Sequence, residues 1–148
     1  MLRARRETVA TAESLTGGLL GATITDVPGA SAVYRGGLIP YATELKAVLA
    51  GVSRATLAED GPVAASTAEQ LAEGTARACG ADWGLATTGV AGPEPQDGHP
   101  VGQVFVAVAG PGSSVRVREL DLTGERDDIR RQAVVAVLAL LQESLAAL

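Results

Sequence analysis

The chain has 148 residues, enough for one domain with a substantial core, and its net charge of −5 argues against a nucleic-acid surface, which would need clustered cations. One cysteine and one histidine rule out an internal disulfide and a Cys- or His-rich metal site, and no apolar run is long enough to span a membrane. We therefore expect a cytoplasmic protein with no metal, no direct nucleic-acid partner and no membrane partner.

Apolar periodicity predicts strands and helices in alternation, followed by a hairpin and a final helix. Only 3% of the residues are aromatic although 47% are apolar, so Ala, Val and Leu must fill the core and the elements must pack closely. Helices both before and after the strands favour a single domain over residues 1–148, an α/β fold of the three-layer α/β/α sandwich type. Because of the hairpin, we expect a mixed, mostly parallel sheet. The predicted elements are, in chain order, a strand at 8–12, a helix ending near residue 26, a strand at 32–41, helices at 44–49, 54–60 and 64–79, strands at 83–90, 102–109 and 114–122, and a helix from about residue 125.

The turn between the first strand and the first helix is the first candidate site. It contains Ser14 and Thr16, followed by Gly17 and Gly18. Such a turn directs backbone N–H groups outward at a helix start, where negative charge is stabilised, and glycine lets a ligand approach the backbone closely. Ser14 could attack a carbonyl carbon while nearby amides hold the oxyanion. The alternative is that Ser14 or Thr16 only caps the helix, as these residue types commonly do.

A second candidate site lies where the second strand meets the next helix. Tyr41 comes at the end of the strand and Lys46 about one turn into the helix, so both side chains can face one cleft. Lys46 is the only lysine beside 11 arginines, and a desolvated lysine, unlike an arginine, can lose its proton and act as a base. A lysine near a serine is an alternative to histidine for activating a hydroxyl. The competing interpretation is a solvated lysine and a partly buried ring.

Two further segments could hold a ligand. Thr88 and Gly89 lie at the exit of a predicted apolar strand, where ligands gather in α/β sheets, although a turn that needs glycine explains them equally well. Arg126 and Arg130 lie one turn apart in the final helix and could clamp a phosphate, or could instead pair with neighbouring carboxylates. His99 lies in a polar loop and is interpreted as a loop residue rather than a general base.

These segments, in this order, resemble the C-terminal domain of the competence/damage-inducible protein CinA, a family that includes nicotinamide-nucleotide amidase. The resemblance covers nearly the whole chain from about Glu7 onward, and although each motif is weak by itself, the ordered set is specific. The matching stretches are 8–14 with 16–18, 28–31, 36–41 with Lys46, 88–93, 100–102, and 124–126 with 129–130.

The resemblance implies a reaction and a set of site residues. The reaction is hydrolysis of the carboxamide of nicotinamide mononucleotide to nicotinic acid mononucleotide and ammonia, without metal or organic cofactor. It implies Ser14 as nucleophile with Tyr41 and Lys46 beside it, and we expect neutral Lys46 to remove the Ser14 proton directly or through the Tyr41 phenol. A homodimer is also expected from the family. The residues expected to bind the nucleotide substrate are Thr16, Gly17, Gly18, Thr88, Gly89, Arg126 and Arg130.

Departures from the family pattern leave two other functions open. Leu15 replaces a common cysteine, Thr43 replaces a frequent asparagine, and the loop 94–99 differs from the usual glycine-rich stretch that ends in Lys-Pro. The first strand begins close to Met1, so the family's leading helix is nearly absent; either a neighbour covers that face or the true start lies upstream. The altered loop and the nearly absent helix favour one alternative, a nucleotide-binding module without turnover; the other, a competence- or damage-related interaction domain, is suggested by the family's name.

Overall fold

The computed structural model describes residues 1–112 and 114–148; Ser113, between the two predicted hairpin strands, lies outside them. The elements follow the predicted order, with an additional short helix near the N-terminus and a 3₁₀ helix before the second strand. In chain order they are α1 (Leu2–Arg5), β1 (Val9–Glu13), α2 (Leu19–Thr25), the 3₁₀ helix (Ala30–Ala32), β2 (Tyr34–Leu38), α3 (Thr43–Ala50), α4 (Arg54–Glu59), α5 (Ala65–Cys79), β3 (Trp83–Gly89), β4 (Gln103–Ala109), β5 (Arg116–Asp121) and α6 (Arg126–Ala146).

Within the described residues, the strands form a five-stranded sheet with the order β2-β1-β3-β4-β5. β1 pairs in parallel with β2 and β3, whereas β4 pairs antiparallel with β3 and β5. β4 therefore runs against the direction of the other strands, and the predicted mixed, mostly parallel sheet is confirmed. Because β1 and β3 are adjacent and parallel, their carboxyl ends lie at the same edge of the sheet, where ligand sites form in α/β folds.

Helices cover both faces of the sheet. Because alternate side chains of a strand point to opposite faces, each central strand contributes to the cores on both sides. In β4, Val104 and Val106 belong to the core shared with α6, whereas Phe105 and Ala107 belong to the core shared with α5. α2 packs beside α6, and α3 packs beside α5. The predicted three-layer α/β/α sandwich is confirmed. Among the described helices, none combines the length and the apolar character needed to cross a membrane.

Small residues let α5 approach its neighbours closely. Gly84 of β3 lies so near α5 that a Cβ atom on it would overlap the carbonyl oxygen of Ala72. Gly74 of α5 is packed in the same way against the backbone of Ala50, the last residue of α3. These contacts agree with the close packing expected from the low aromatic content, and they hold α3 beside the sheet edge where β1 and β3 end.

β2 is shorter than the predicted strand at 32–41. The 3₁₀ helix occupies the start of the predicted strand. There the N–H groups of Ala32 and Val33 donate to the carbonyl oxygens of Gly29 and Ala30 and are not available for strand pairing. Gly29 supports this turn with a φ of +86°, a conformation that glycine adopts without strain. The strand consequently begins only at Tyr34.

Candidate active site

A cavity of about 280 Å³ opens at the sheet edge where β1 and β3 end. Its wall is formed by the turn after β1, the connection between β2 and α3, the segment after β3 and the first turn of α6. The fold thus gathers residues that are widely separated in the chain. The predicted site residues that line the cavity are Ser14, Tyr41, Lys46, Thr88, Gly89 and Arg126.

Ser14 is the first residue after β1 and is held against β3. Its backbone N–H donates to the carbonyl oxygen of Thr87 at 3.0 Å, which extends the pairing of the two strands. Only 8% of the residue is exposed, and its Oγ lies 3.1 Å from Nζ of Lys46. The structure therefore places a hydroxyl on the cavity wall within hydrogen-bond distance of the only lysine in the chain.

Lys46 is buried, with 1% of its surface exposed. Its Nζ donates to the carbonyl oxygens of Pro40 at 2.7 Å and Tyr41 at 3.4 Å, in addition to Ser14 Oγ. Desolvation lowers the pKa of Lys46 from 10.5 to about 8, against a smaller opposing effect of the Glu44 carboxylate. A neutral amine has two N–H bonds and one lone pair, so the two carbonyls can accept both N–H bonds while the lone pair faces Ser14. A lysine that activates a serine requires this arrangement.

Glu13 is a buried residue to which the sequence pattern assigned no role. It is 2% exposed, and its carboxylate accepts the backbone N–H groups of Leu20 at 2.7 Å and Gly21 at 3.0 Å. The carboxylate satisfies two N–H groups that the start of α2 leaves free, and it ties α2 to the residue directly before Ser14. The signal in the sequence was a charged residue at the end of an otherwise apolar strand.

Three of the predicted turn residues lie behind Ser14 and not on the cavity wall: Thr16, Gly17 and Gly18. Thr16 is fully buried, and its hydroxyl shares a 2.8 Å hydrogen bond with the hydroxyl of Thr87. Gly17 and Gly18 have φ angles of +54° and +108°, which close the turn. The positions of the Thr16 side chain and of the two glycines favour a role in shaping the turn over direct contact with a substrate, whereas the Thr16 main chain follows Ser14 closely.

Arg130 also holds this turn instead of facing the cavity. Its Nε donates to the carbonyl oxygen of Leu15 at 2.9 Å, and its Nη2 donates to that of Thr16 at 3.0 Å. Because the guanidinium is engaged by the main chain, this geometry favours a role for Arg130 in holding the turn over the predicted phosphate clamp with Arg126.

Arg126 and the Tyr41 side chain meet at the mouth of the cavity. Arg126 donates to the carbonyl oxygen of Gly92 and, at 3.3 Å, to the hydroxyl of Tyr41. Tyr41 is 59% exposed, and its carbonyl oxygen, not its phenol, is the group that contacts Lys46. This geometry favours direct proton transfer between Lys46 and Ser14 over a route through the phenol.

Thr88 and Gly89, at the end of β3, also line the cavity. The hydroxyl of Thr88 donates to the carbonyl oxygen of Pro62 at 2.6 Å, which fixes the segment before α5 against the end of β3. His99 lies in the loop between β3 and β4, as predicted, with Nδ1 2.8 Å from Oε1 of Gln103. Over residues 1–112 and 114–148, no group of three or more His, Cys, Asp or Glu residues is arranged to hold a metal ion.

Comparisons with known proteins give matches over the whole chain. A family model for the CinA C-terminal domain matches residues 1–145. A CinA-like protein from Frankia casuarinae is 50% identical over 148 residues, which are 100% of this chain and 34% of that protein. A CinA-like protein from an Anaeromyxobacter species is 48% identical over 147 residues, which cover 97% of this chain and 35% of that protein. The chain spans about a third of the length of these curated relatives.

Solved structures share the fold. The competence damage-inducible protein A from Klebsiella pneumoniae superposes with a TM-score of 0.93 at 33% identity, covering 98% of this chain and 90% of that chain. A competence/damage inducible protein from Agrobacterium tumefaciens superposes with a TM-score of 0.92 at 33% identity, covering 96% of this chain and 87% of that chain.

Proposed function

The chain belongs to the CinA C-terminal domain family, and we propose that it is an amidohydrolase with Ser14 as nucleophile and Lys46 as base. Nicotinamide mononucleotide is the proposed substrate, and nicotinic acid mononucleotide and ammonia are the products. The observation that carries the proposal is the 3.1 Å contact between Lys46 Nζ and Ser14 Oγ, in a buried site where the pKa of Lys46 falls to about 8. Near neutral pH a useful fraction of this amine is neutral, whereas an ordinary lysine is almost wholly protonated.

In the first half-reaction, neutral Lys46 takes the proton of Ser14 while Oγ attacks the carboxamide carbon. The C–N bond then breaks, and Lys46 returns the proton to the departing nitrogen, which leaves as ammonia. In the second half-reaction, Lys46 takes a proton from a water molecule whose oxygen attacks the ester carbon; the bond to Ser14 Oγ then breaks, Lys46 returns the proton to Oγ, and the acid is released. One residue can serve as base and then as acid because its pKa lies near the working pH.

The oxyanion formed in both steps needs N–H donors beside Ser14. The backbone N–H groups of Leu15 and Thr16 follow it directly, and among the described residues they donate to no protein acceptor. Leu15 is 4% and Thr16 0% exposed, and buried N–H groups are rarely left unpaired. The N–H of Gly17 is instead taken by the carbonyl oxygen of Ser14 at 3.1 Å. We therefore assign the oxyanion to the Leu15 and Thr16 amides.

The size and the lining residues of the cavity bear on the proposal that the substrate is an amide carried by a nucleotide. Its volume of about 280 Å³ lies just below the range for small-molecule sites, roughly 300–1,000 Å³, and suits the reacting ring better than the whole nucleotide. Arg126 at the mouth could meet the phosphate outside. Glu94 and Gln96, from the loop that departs from the family pattern, also line the cavity. That observation favours a second candidate function, a nucleotide-binding module without turnover.

Composition and charge support proposals about the compartment and the absence of nucleic-acid and membrane partners, and the family resemblance supports those about cofactors and oligomeric state. We propose a cytoplasmic homodimer that uses no metal or organic cofactor and makes no direct contact with nucleic acid or membrane. A third candidate function is an interaction domain. The names of the solved relatives, which refer to competence and damage induction, favour it.

Ammonia release from nicotinamide mononucleotide tests the proposal, with Ser14→Ala as the paired variant. We expect release by the wild-type protein and none by Ser14→Ala, which removes a single hydroxyl from the cavity wall and should fold normally. Nucleotide binding without ammonia release would favour the binding module, and neither binding nor release would favour the interaction domain. Equal release by both proteins would exclude Ser14 as nucleophile.

A further inference from the structure

Arg130 holds the carbonyl groups of the two residues that immediately follow the nucleophile. Its Nε and Nη2 donate to the carbonyl oxygens of Leu15 and Thr16 at 2.9 and 3.0 Å. Both acceptors are main-chain oxygens, so the contact sets the path of the backbone. The preceding residue on α6, Ile129, is 1% exposed and lies in the core between α6 and the sheet. The guanidinium therefore links the turn to an anchored helix.

This contact also sets the direction of an N–H group. The peptide bond between Leu15 and Thr16 is trans, and in a trans peptide the N–H points opposite to the C=O of the same plane. Because the Leu15 carbonyl faces Arg130, the Thr16 N–H points away from Arg130. Within the described part of the chain, that N–H has no protein acceptor, and it is one of the two amides assigned to the oxyanion.

Two side chains of opposite charge hold the turn. Before it, the Glu13 carboxylate accepts two N–H groups at the start of α2, at 2.7 and 3.0 Å. Beside it, Arg130 donates to two carbonyl oxygens. Because the Glu13 carboxylate binds amides and the Arg130 guanidinium binds carbonyl oxygens, the segment that carries Ser14 has little freedom to move.

We propose that Arg130 is a positioning residue for the nucleophile and does not bind the substrate phosphate. It keeps the Ser14 turn in the conformation in which the Leu15 and Thr16 amides meet the oxyanion. The inference rests on the proposed serine mechanism and deepens it. Its structural basis is the pair of bonds to the turn, together with the absence of Arg130 from the described cavity wall, where Arg126 stands.

The variants Arg130→Lys and Arg130→Gln test the proposal. Lysine keeps the charge but lacks the rigid fork that reaches two carbonyl oxygens at once. Arg131→Gln is the matched control, because Arg131 is the next residue on α6, its side chain is 72% exposed, and its partner Asp127 lies 4.0 Å away. We expect kcat for ammonia release to fall roughly 10- to 100-fold in both Arg130 variants with KM little changed. Arg131→Gln should behave as wild type, and thermal unfolding of every variant shows whether it is folded.

Comparing turnover of two substrates distinguishes a positioning role of Arg130 from a phosphate-binding role. Nicotinamide mononucleotide carries a phosphate, and nicotinamide riboside does not. If Arg130 positions the nucleophile, its loss lowers turnover of both amides by the same factor. A loss confined to the nucleotide, with a raised KM, would overturn the proposal in favour of a phosphate-binding role.

Labelling with a fluorophosphonate makes the test independent of the substrate. In this reaction a bond forms between Ser14 Oγ and phosphorus, the P–F bond breaks, fluoride leaves, and the serine proton passes to Lys46. We expect slower labelling of the Arg130 variants, an unchanged rate for Arg131→Gln and no labelling of Ser14→Ala. If wild-type Ser14 is not labelled, the proposed nucleophile is wrong. If Arg130→Lys and Arg130→Gln are labelled as fast as wild type, the nucleophile stands and the role of Arg130 is refuted.

Discussion

Replacing Lys46 by methionine should abolish turnover and also change how stability depends on pH. Methionine fills a similar volume without a titratable group. The pKa of Lys46 is about 8 in the folded protein and 10.5 in the unfolded chain. Between these values the unfolded chain binds a proton that the folded protein lacks, so the stability of the wild type rises with pH. The slope is about 1.4 kcal/mol per pH unit, and the full shift is worth about 3 kcal/mol.

Urea unfolding of wild type and Lys46→Met between about pH 7 and pH 10 measures this effect, in a window that spans the folded pKa. All other titrating groups are shared, so they cancel in the difference between the two proteins. Loss of the Nζ hydrogen bonds shifts that difference by a constant. We expect the difference to stay level below about pH 8 and then to move in favour of the wild type. A difference independent of pH would refute the reasoning, because Lys46 would then titrate as an ordinary lysine and would not supply a neutral base.

Three further substitutions test separate parts of the structure. Lys46→Arg should lose nearly all ammonia release, because arginine stays charged and cannot act as the base; wild-type turnover would contradict this. Glu13→Gln should lower the free energy of unfolding by about 1–3 kcal/mol in urea, since an amide has one acceptor oxygen for two N–H groups, whereas the exposed Glu69→Gln should change it by about 0.5 kcal/mol or less. Gly84→Ala should cost about 1–3 kcal/mol in thermal or urea unfolding, because its Cβ meets the Ala72 carbonyl; unchanged stability would mean that α5 packs less closely than described.

The elements that could be predicted from the sequence are those with a local signal. The strands at 9–13 and 83–89 and the helix at 65–79 differ from the predicted bounds by about one residue, because apolar spacing and flanking turn residues define them. The helix at 2–5 is too short to show a period. The sequence predicts too long a β2, because the turn before this strand has an apolar composition and only the backbone hydrogen bonds of that turn distinguish it from a strand.

The candidate site could be predicted by residue type but not by orientation. A turn motif indicates Ser14 and the single lysine of the sequence indicates Lys46, and the structure brings the two side chains together. The sequence could not indicate that Tyr41 presents its carbonyl oxygen to Lys46 and its phenol to solvent and Arg126. Nor could it indicate that Arg130 donates to main-chain oxygens, because such acceptors are present at every residue and leave no signature.

The most direct test of Ser14 and Lys46 as the catalytic pair is the pH dependence of kcat/KM for ammonia release from nicotinamide mononucleotide. Below about pH 8 we expect kcat/KM to rise about tenfold per pH unit as Lys46 loses its proton, and above about pH 8 to level off. A flat profile across this range, or one that keeps rising through the ordinary pKa of lysine near 10.5, would contradict a neutral Lys46 acting as the base for Ser14.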